Sequence, residues 1–171
     1  GGAVAMHHAI AGWAEWPDWA DMLGGRFLYA CGEANGEMHL DSGYRHDVHY
    51  DAEVLDPDHP VTAGLPPRFP LRDELYLAPV WGAIKPLLRA DHAFVRDNFY
   101  SAAQAVAGRM FSNAGWDHRP ESDVIAWEKP VGAGCLVYLQ PGDGPAAYAD
   151  SNLRRLLANA LTHVAAGPNH S

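Results

Sequence analysis

The chain has 171 residues, 48% of them apolar, and carries 12 Lys and Arg against 21 Asp and Glu, a net charge of −9 with neutral histidines. That size and apolar content suit one domain with a real core, and the acidic balance without a Lys/Arg cluster excludes a phosphate backbone or an anionic membrane surface as partner. No apolar run approaches the roughly 20 residues of a spanning helix, and Cys31 and Cys135 lie far apart outside any C-x-x-C spacing, which excludes a disulfide framework and a zinc ribbon.

In chain order, Gly1 to Met6 reads as a short buried strand that ends in His7-His8. In open α/β sheets ligands bind at the carboxyl ends of strands, so that histidine pair is a candidate site feature. Pro17 to Leu23 is predicted to be a short helix, with proline in the first turn, Asp18 near its start and Gly24-Gly25 after its last turn. Cys31 to Gly43 is polar and reads as an excursion or lid. Tyr44 to Val54 alternates as a half-buried strand, with Tyr44, His46, Val48, Tyr50, Ala52 and Val54 sharing one face. On that pattern His46 and His49 point to opposite faces and make no ligand pair.

Asp56 to Pro60 and Pro66-Pro67 are turn chemistry. Asp73-Glu74 is expected to introduce a strand around Leu75 to Pro79. Pro86 leaves Val80 to Ala90 open between elements, and Ser101 to Met110 fits helix or strand. Val124 to Glu128 and Cys135 to Leu139 read as a hairpin, broken by the Pro141 to Pro145 turn. The last element is a helix: Leu153, Leu156, Leu157, Ala160, Leu161 and Val164 recur at helical spacing, Asp150 or Ser151 caps the start, and Gly167-Pro168 closes the end. Mixed strands and helices point to an α/β layer fold.

Three clusters carry candidate chemistry: His7-His8, Asp73-Glu74 with Tyr76, and Asp143 on a glycine-rich turn. Proton transfer at a carbonyl or anomeric carbon needs a base and an acid, and imidazole and carboxylate are the usual side chains. The candidates for catalysis are therefore His7, His8, Asp73, Glu74 and Asp143. The six Trp, seven Tyr and ten His suit a polar small-molecule site, and Trp13 and Tyr76 are expected to stack on or hydrogen-bond to a sugar. The same histidines and carboxylates permit a divalent metal. Neither G-x-S-x-G nor a cysteine stands at the first strand exit, so Cys31 reads as a plain thiol.

The stretches GGAVAMHHAIAGW, LGGRF, DHPVTAGLPPRFPLRDELY and VIAWEKPVGAGCLVYLQPGDGPAAY followed by LRRLLANAL resemble the ThuA-like (trehalose utilisation) family. The resemblance implies an α/β, flavodoxin-like fold of the class I glutamine amidotransferase type, a three-layer sheet sandwich. It makes residues 1–171 one domain lacking N-terminal βα units. It also implies that His7 occupies the strand-to-helix elbow where amidotransferases carry a nucleophilic cysteine, so a thioester route for glutamine is not expected. His59 and Gly142, in the most specific matching runs, are expected at the substrate. Many family members have Gly-His where this chain has Gly142-Asp143, so Asp143 is expected to take that role.

The implied activity is processing of a disaccharide-derived or keto-sugar substrate by an isomerase or hydrolase type of reaction. A sugar dehydrogenase is the expected functional partner, a homo-oligomer the expected assembly, and the cytoplasm the expected compartment. The alternatives are a sugar-binding accessory domain and a metal-dependent hydrolase.

Overall fold

The computed structural model describes residues 1–166. Strand β1 (Ala3–Met6) runs directly into a 3-10 turn (His7–Ala11), and α1 (Pro17–Leu23) follows. Then come a small hairpin, β2 (Gly32–Ala34) and β3 (Glu37–His39), and two long strands, β4 (Gly43–Val54) and β5 (Arg68–Leu77). Strand β6 (Lys85–Ala90), the two-residue β7 (Tyr100–Ser101) and α2 (Ala102–Val106) precede the hairpin β8 (Val124–Val131) and β9 (Gly134–Leu139). Helices α3 (Pro145–Ala149) and α4 (Ser151–Ala166) close the described chain. Among the described residues no helix is long and apolar enough to cross a membrane.

The strands except β2 and β3 form one mixed sheet in the order β1-β9-β8-β6-β4-β5, with β7 beside β4. Its one parallel pair is β1 with β9, which sets Met6 opposite Leu139 and so brings both strand exits to the same end of the sheet. Apolar side chains pack on both faces. On one, Phe69, Leu71, Leu75 and Leu77 of β5 join Val137 and Leu139 of β9 beneath Leu153, Leu156, Ala160 and Val164 of α4. On the other, Tyr76, Leu136 and Tyr138 pack with Ile10, Leu23 and Phe27. The central layer is therefore covered twice, which yields the mixed α/β architecture expected of the sequence. Helix α4 begins as predicted, with Asp150 Oδ1 accepting from the N–H groups of Asn152 and Leu153; its expected Gly167-Pro168 stop lies outside the described residues.

The alternation read over Tyr44 to Val54 is broken in the middle. Arg45 pairs with Leu75 but Val48 pairs with Asp73, so β4 spends one residue more than β5 between these pairs. That bulge, with Asp47 at φ +58°, turns the strand over. Tyr44 and His46 stay on the Tyr76 side, whereas Val48, Tyr50 and Ala52 enter the α4 side core. By the same register His49, opposite Arg72, lies on the side of His46, which corrects the opposite-face reading. A β-branched residue at φ +58° is strained, so Asp47→Val is expected to cost about 1–2 kcal/mol and Asp47→Gly to be near neutral; urea denaturation of the two variants measures the difference.

Other boundaries also move. Strand β1 is only partly buried, since it lies at the end of the sheet and pairs on one side. Strand β5 starts at Arg68, so Asp73 and Glu74 are inside it rather than ahead of it. Pro70 is tolerated because β5 is the opposite edge. The Cys31 to Gly43 excursion folds as the β2–β3 hairpin on an Asn35-Gly36 turn. Pro86 sits within β6 next to a register shift. Ser101 to Met110 opens as a strand and becomes α2, capped by Ser101 Oγ on the Gln104 N–H.

Candidate active site

The site starts from the junction of β1 with the 3-10 turn. His7 takes φ +46°, a left-handed conformation that costs a non-glycine residue roughly 1–2 kcal/mol. Two bonds to β9 and its exit hold it there. The Tyr138 hydroxyl donates to His7 O at 2.8 Å. His7 Nδ1–H donates to Gln140 O at 3.0 Å. The Gln140 side chain also accepts from the Tyr76 N–H at 2.9 Å, so one residue aligns the elbow and β5 together.

With Nδ1 occupied, His7 Nε2 is the working atom. It lies 2.6 Å from the Tyr76 hydroxyl, 3.1 Å from Glu74 Oε2 and 3.4 Å from Asp143 Oδ1. The network continues both ways. Tyr76 reaches His8 Nδ1 at 3.1 Å, and His8 Nε2 meets the Tyr29 hydroxyl. Glu74 Oε1 meets His46 Nδ1 at 3.1 Å. These groups line a cavity of about 400 Å³, within the usual range for a small ligand. Phe27 and Tyr44 form part of its apolar wall, and Ala102, Ala105, Val106 and Met110 form the rest.

Burial pulls the His7 imidazole down, but hydrogen bonds to Glu74 and Gln140 and the charges of Glu74 and Asp143 outweigh it and leave it above 6.5. Burial pushes Glu74 up, and hydrogen bonds from His7 and Tyr76 with the charges of His46 and His7 bring it below 4.5. Tyr76 is raised by burial and by Glu74, so it stays a phenol able to donate. A protonated Nε2 then donates to Glu74, and a neutral one accepts from Tyr76; the two states hand one proton position back and forth.

The signs fix the pH dependence. The His7 contribution to stability is complete below about pH 6.5 and is lost as pH rises through its raised folded value. The Glu74 contribution is present above about pH 4.5 and is lost as pH falls through its lowered value. The stability gap between wild type and His7→Asn is therefore expected to be widest between those limits and to narrow in alkaline buffer. Urea unfolding across pH reads it directly.

Of the residues singled out in the sequence, the fold brings His7, His8, Glu74, Tyr76 and Asp143 to one cavity. Asp73, one pleat along from Glu74, faces the opposite side. There it accepts from Gly142 N–H at 2.6 Å and Asp143 N–H at 3.1 Å, a positioning role for the turn that carries Asp143. Burial raises its carboxyl despite those donors. Gly142 has φ +138°, and a Cβ there would meet the Tyr148 hydroxyl at 3.1 Å and Met6 Cε at 3.2 Å, so the turn requires glycine. Trp13 is 68% exposed and does not line the cavity. Sequence reasoning missed His46, Tyr29 and Gln140. The bulge conceals His46 in a regular alternation, while Tyr29 and Gln140 act across long sequence separations and carry no local signal.

His59 is not brought to this cavity. It packs near α4, with Nε2 3.6 Å from Glu128 Oε2, which also bonds His163. His59, Glu128 and His163 offer ligand atoms within 4.8 Å of one another, as do His7, Glu74 and Asp143. The tautomers separate the two groups. His59 Nδ1 accepts from the Val61 N–H at 3.2 Å, so the neutral ring carries its proton on Nε2 and has no lone pair to offer there. His7 has the reverse arrangement: its Nδ1–H on a backbone carbonyl leaves the Nε2 lone pair toward two carboxylates, the usual support of a metal-bound histidine.

Fold and site together define a mixed α/β protein in which a histidine at a strand-exit elbow, a carboxylate and a phenol from β5 and a carboxylate from the turn after β9 meet at an open cavity. The chain matches the ThuA (trehalose utilisation) family over residues 1–164, and it belongs to that family. Two solved structures are similar to it. A ThuA-like protein from Parabacteroides merdae ATCC 43184 aligns with TM-score 0.63 and 17% identity over 100% of this chain and 63% of its own. A ThuA-like protein from Bacteroides uniformis ATCC 8492 aligns with TM-score 0.59 and 21% identity over 94% of this chain and 57% of its own. This chain thus spans less than two thirds of either, and the likeness shows the fold. No curated protein matches.

Proposed function

We propose that the protein is a carbohydrate-processing enzyme that acts on a keto-sugar derived from a disaccharide, by proton transfer at the His7 cavity. The observation that carries this reading is His7 Nε2, shared among Tyr76, Glu74 and Asp143 at distances of 2.6 to 3.4 Å. A carbon next to a ketone loses a proton readily only if a base is at hand and the developing oxyanion is met by a donor. His7 is the base, Glu74 stabilises the imidazolium that results, and the Tyr76 hydroxyl is the donor toward the carbonyl oxygen. The imidazolium passes that proton to Asp143, half-exposed at the cavity rim and 3.4 Å from Nε2, and the resulting carboxylic acid returns it to the neighbouring oxygen or carbon, which leaves both groups as they began. The elbow presents an imidazole in place of a thiolate, so acyl-enzyme chemistry on glutamine has no nucleophile there.

A keto-sugar arises by oxidation of a sugar hydroxyl, so a sugar dehydrogenase is the functional partner that supplies the substrate. The test is to incubate the purified protein with a keto-disaccharide and follow it by NMR. Conversion to an isomer or to cleaved products supports the reading; binding with no chemical change would instead make the protein an accessory sugar-binding domain. The His7 tautomer favours a second reading, a divalent metal on His7 Nε2, Glu74 and Asp143 serving a hydrolase. A stoichiometric ion in the purified protein, and turnover lost to a chelator, would decide for it.

A further inference from the structure

A second cavity, larger than the His7 cavity, lies elsewhere and has no part in the proton chemistry. It encloses about 520 Å³ between the end of α1, the loop after β5 and the tip of the β2–β3 hairpin. Asp21, Arg26, Glu33, Asn35 and Trp81 face it. Its walls are fixed by backbone contacts. Arg26 N–H donates to Pro79 O at 3.1 Å, Trp81 N–H donates to Gly24 O at 2.8 Å, and Gly25 bridges Val80. The approach needs the glycine pair. A Cβ on Gly24 would meet Ile84 Cγ2 at 2.8 Å and Trp81 O at 3.0 Å, and one on Gly25 would meet Pro79 O at 3.1 Å.

The Trp81 ring is oriented as well, since its Nε1–H donates to Asp21 Oδ1 at 3.1 Å. Arg26 is anchored by one N–H on Ala14 O, which leaves the rest of its donor fork for other partners. An indole with guanidinium, amide and carboxylate groups around it matches a neutral, hydroxyl-rich ring. The apolar C–H face packs on the indole, and the hydroxyls donate to carboxylates and accept from Arg and Asn. Two carboxylates against one guanidinium disfavour an anion, and the polar rim disfavours a lipid or an apolar helix.

The cavity is also a neighbour of the His7 site. Arg26 lines one, and Phe27, the next residue, lines the other. We propose that this second cavity is a saccharide subsite that holds a glycosyl unit apart from the one undergoing proton transfer. The proposal rests on the carbohydrate reading above and deepens it: a substrate with two sugar units is favoured over a single one.

The experiment is an NMR titration of the full chain with trehalose and with glucose, following the Trp81 indole N–H, alongside turnover of the keto-disaccharide. The Trp81 signal is expected to move with trehalose in wild type and equally in His7→Asn. Glu33→Ala, a change on the exposed hairpin, is expected to weaken that binding roughly five- to ten-fold, as loss of one solvent-facing hydrogen-bond partner does. Trp81→Phe keeps the wall filled and reports the loss of the indole by the same weakening, read on neighbouring amides. Turnover without any response at Trp81, or a response that Glu33→Ala leaves unchanged, overturns the subsite alone. A Trp81 response with no conversion of any keto-sugar removes the catalytic reading and leaves the subsite standing.

Discussion

His7→Asn is expected to lower turnover of a keto-disaccharide by about 10²–10⁴-fold, the range that a positioned general acid or base supplies. Asparagine is the informative substitution for two reasons. It tolerates the left-handed backbone that His7 adopts at φ +46°, and its side-chain amide can replace the Nδ1–H bond to Gln140 O. What disappears is Nε2, the atom shared with Tyr76, Glu74 and Asp143. Steady-state kinetics should show the loss in kcat, because the cavity walls that bind the sugar are untouched. Unchanged kcat in a folded His7→Asn protein would remove His7 from the proton path. His7→Gln, which places an amide near the lost Nε2 and abandons the Gln140 anchor, should be equally inactive and less stable.

Trp127→Ala is expected to destabilise the fold by about 3–5 kcal/mol, a large share of the total stability of a typical domain. Trp127 is fully buried and packs against Tyr138 at a tilt of 38°, with ring centroids 4.4 Å apart. Its Nε1–H donates to Leu23 O at 2.7 Å, which ties the end of α1 to the middle of the sheet. Trp127→Phe separates the two contributions. The ring contact survives, but Leu23 O loses its donor in a buried setting, and a loss of about 1–3 kcal/mol is expected. Urea denaturation followed by circular dichroism measures both, and a Phe variant as stable as wild type would show that the indole bond contributes nothing net. Because Tyr138 also holds His7 O, the alanine variant should lose site geometry along with stability.

The elements legible in the sequence are those that local chemistry determines. Pro17 and Gly24 delimit α1 as the fixed φ of proline and the left-handed freedom of glycine require. Asp150 and the Leu153 to Val164 spacing announce α4, and the runs Val124 to Glu128 and Cys135 to Leu139 announce their hairpin. The strand exit that presents His7 and His8 follows from six small or apolar residues ending abruptly in two polar rings. Of the five candidate residues that converge, His7, His8 and Asp143 follow the paired exits of β1 and β9, whereas Glu74 and Tyr76 come from one face of β5.

The class of the fold, the elbow at His7 and the types of group that meet there are thus written along the chain. Their partners come from pairing in three dimensions. The bulge at Asp47 reverses the face of β4 and delivers His46 to Glu74. The register of β5 on β4 turns Glu74 into the cavity and Asp73 beneath the Asp143 turn. His59 is carried to Glu128 and His163 on the other face, and the tip of the β2–β3 hairpin completes the second cavity. The reason is common to all four. A strand's periodicity and a turn's preference are written in neighbouring residues, whereas register, bulges and cavity walls arise from pairing between segments that are distant along the chain.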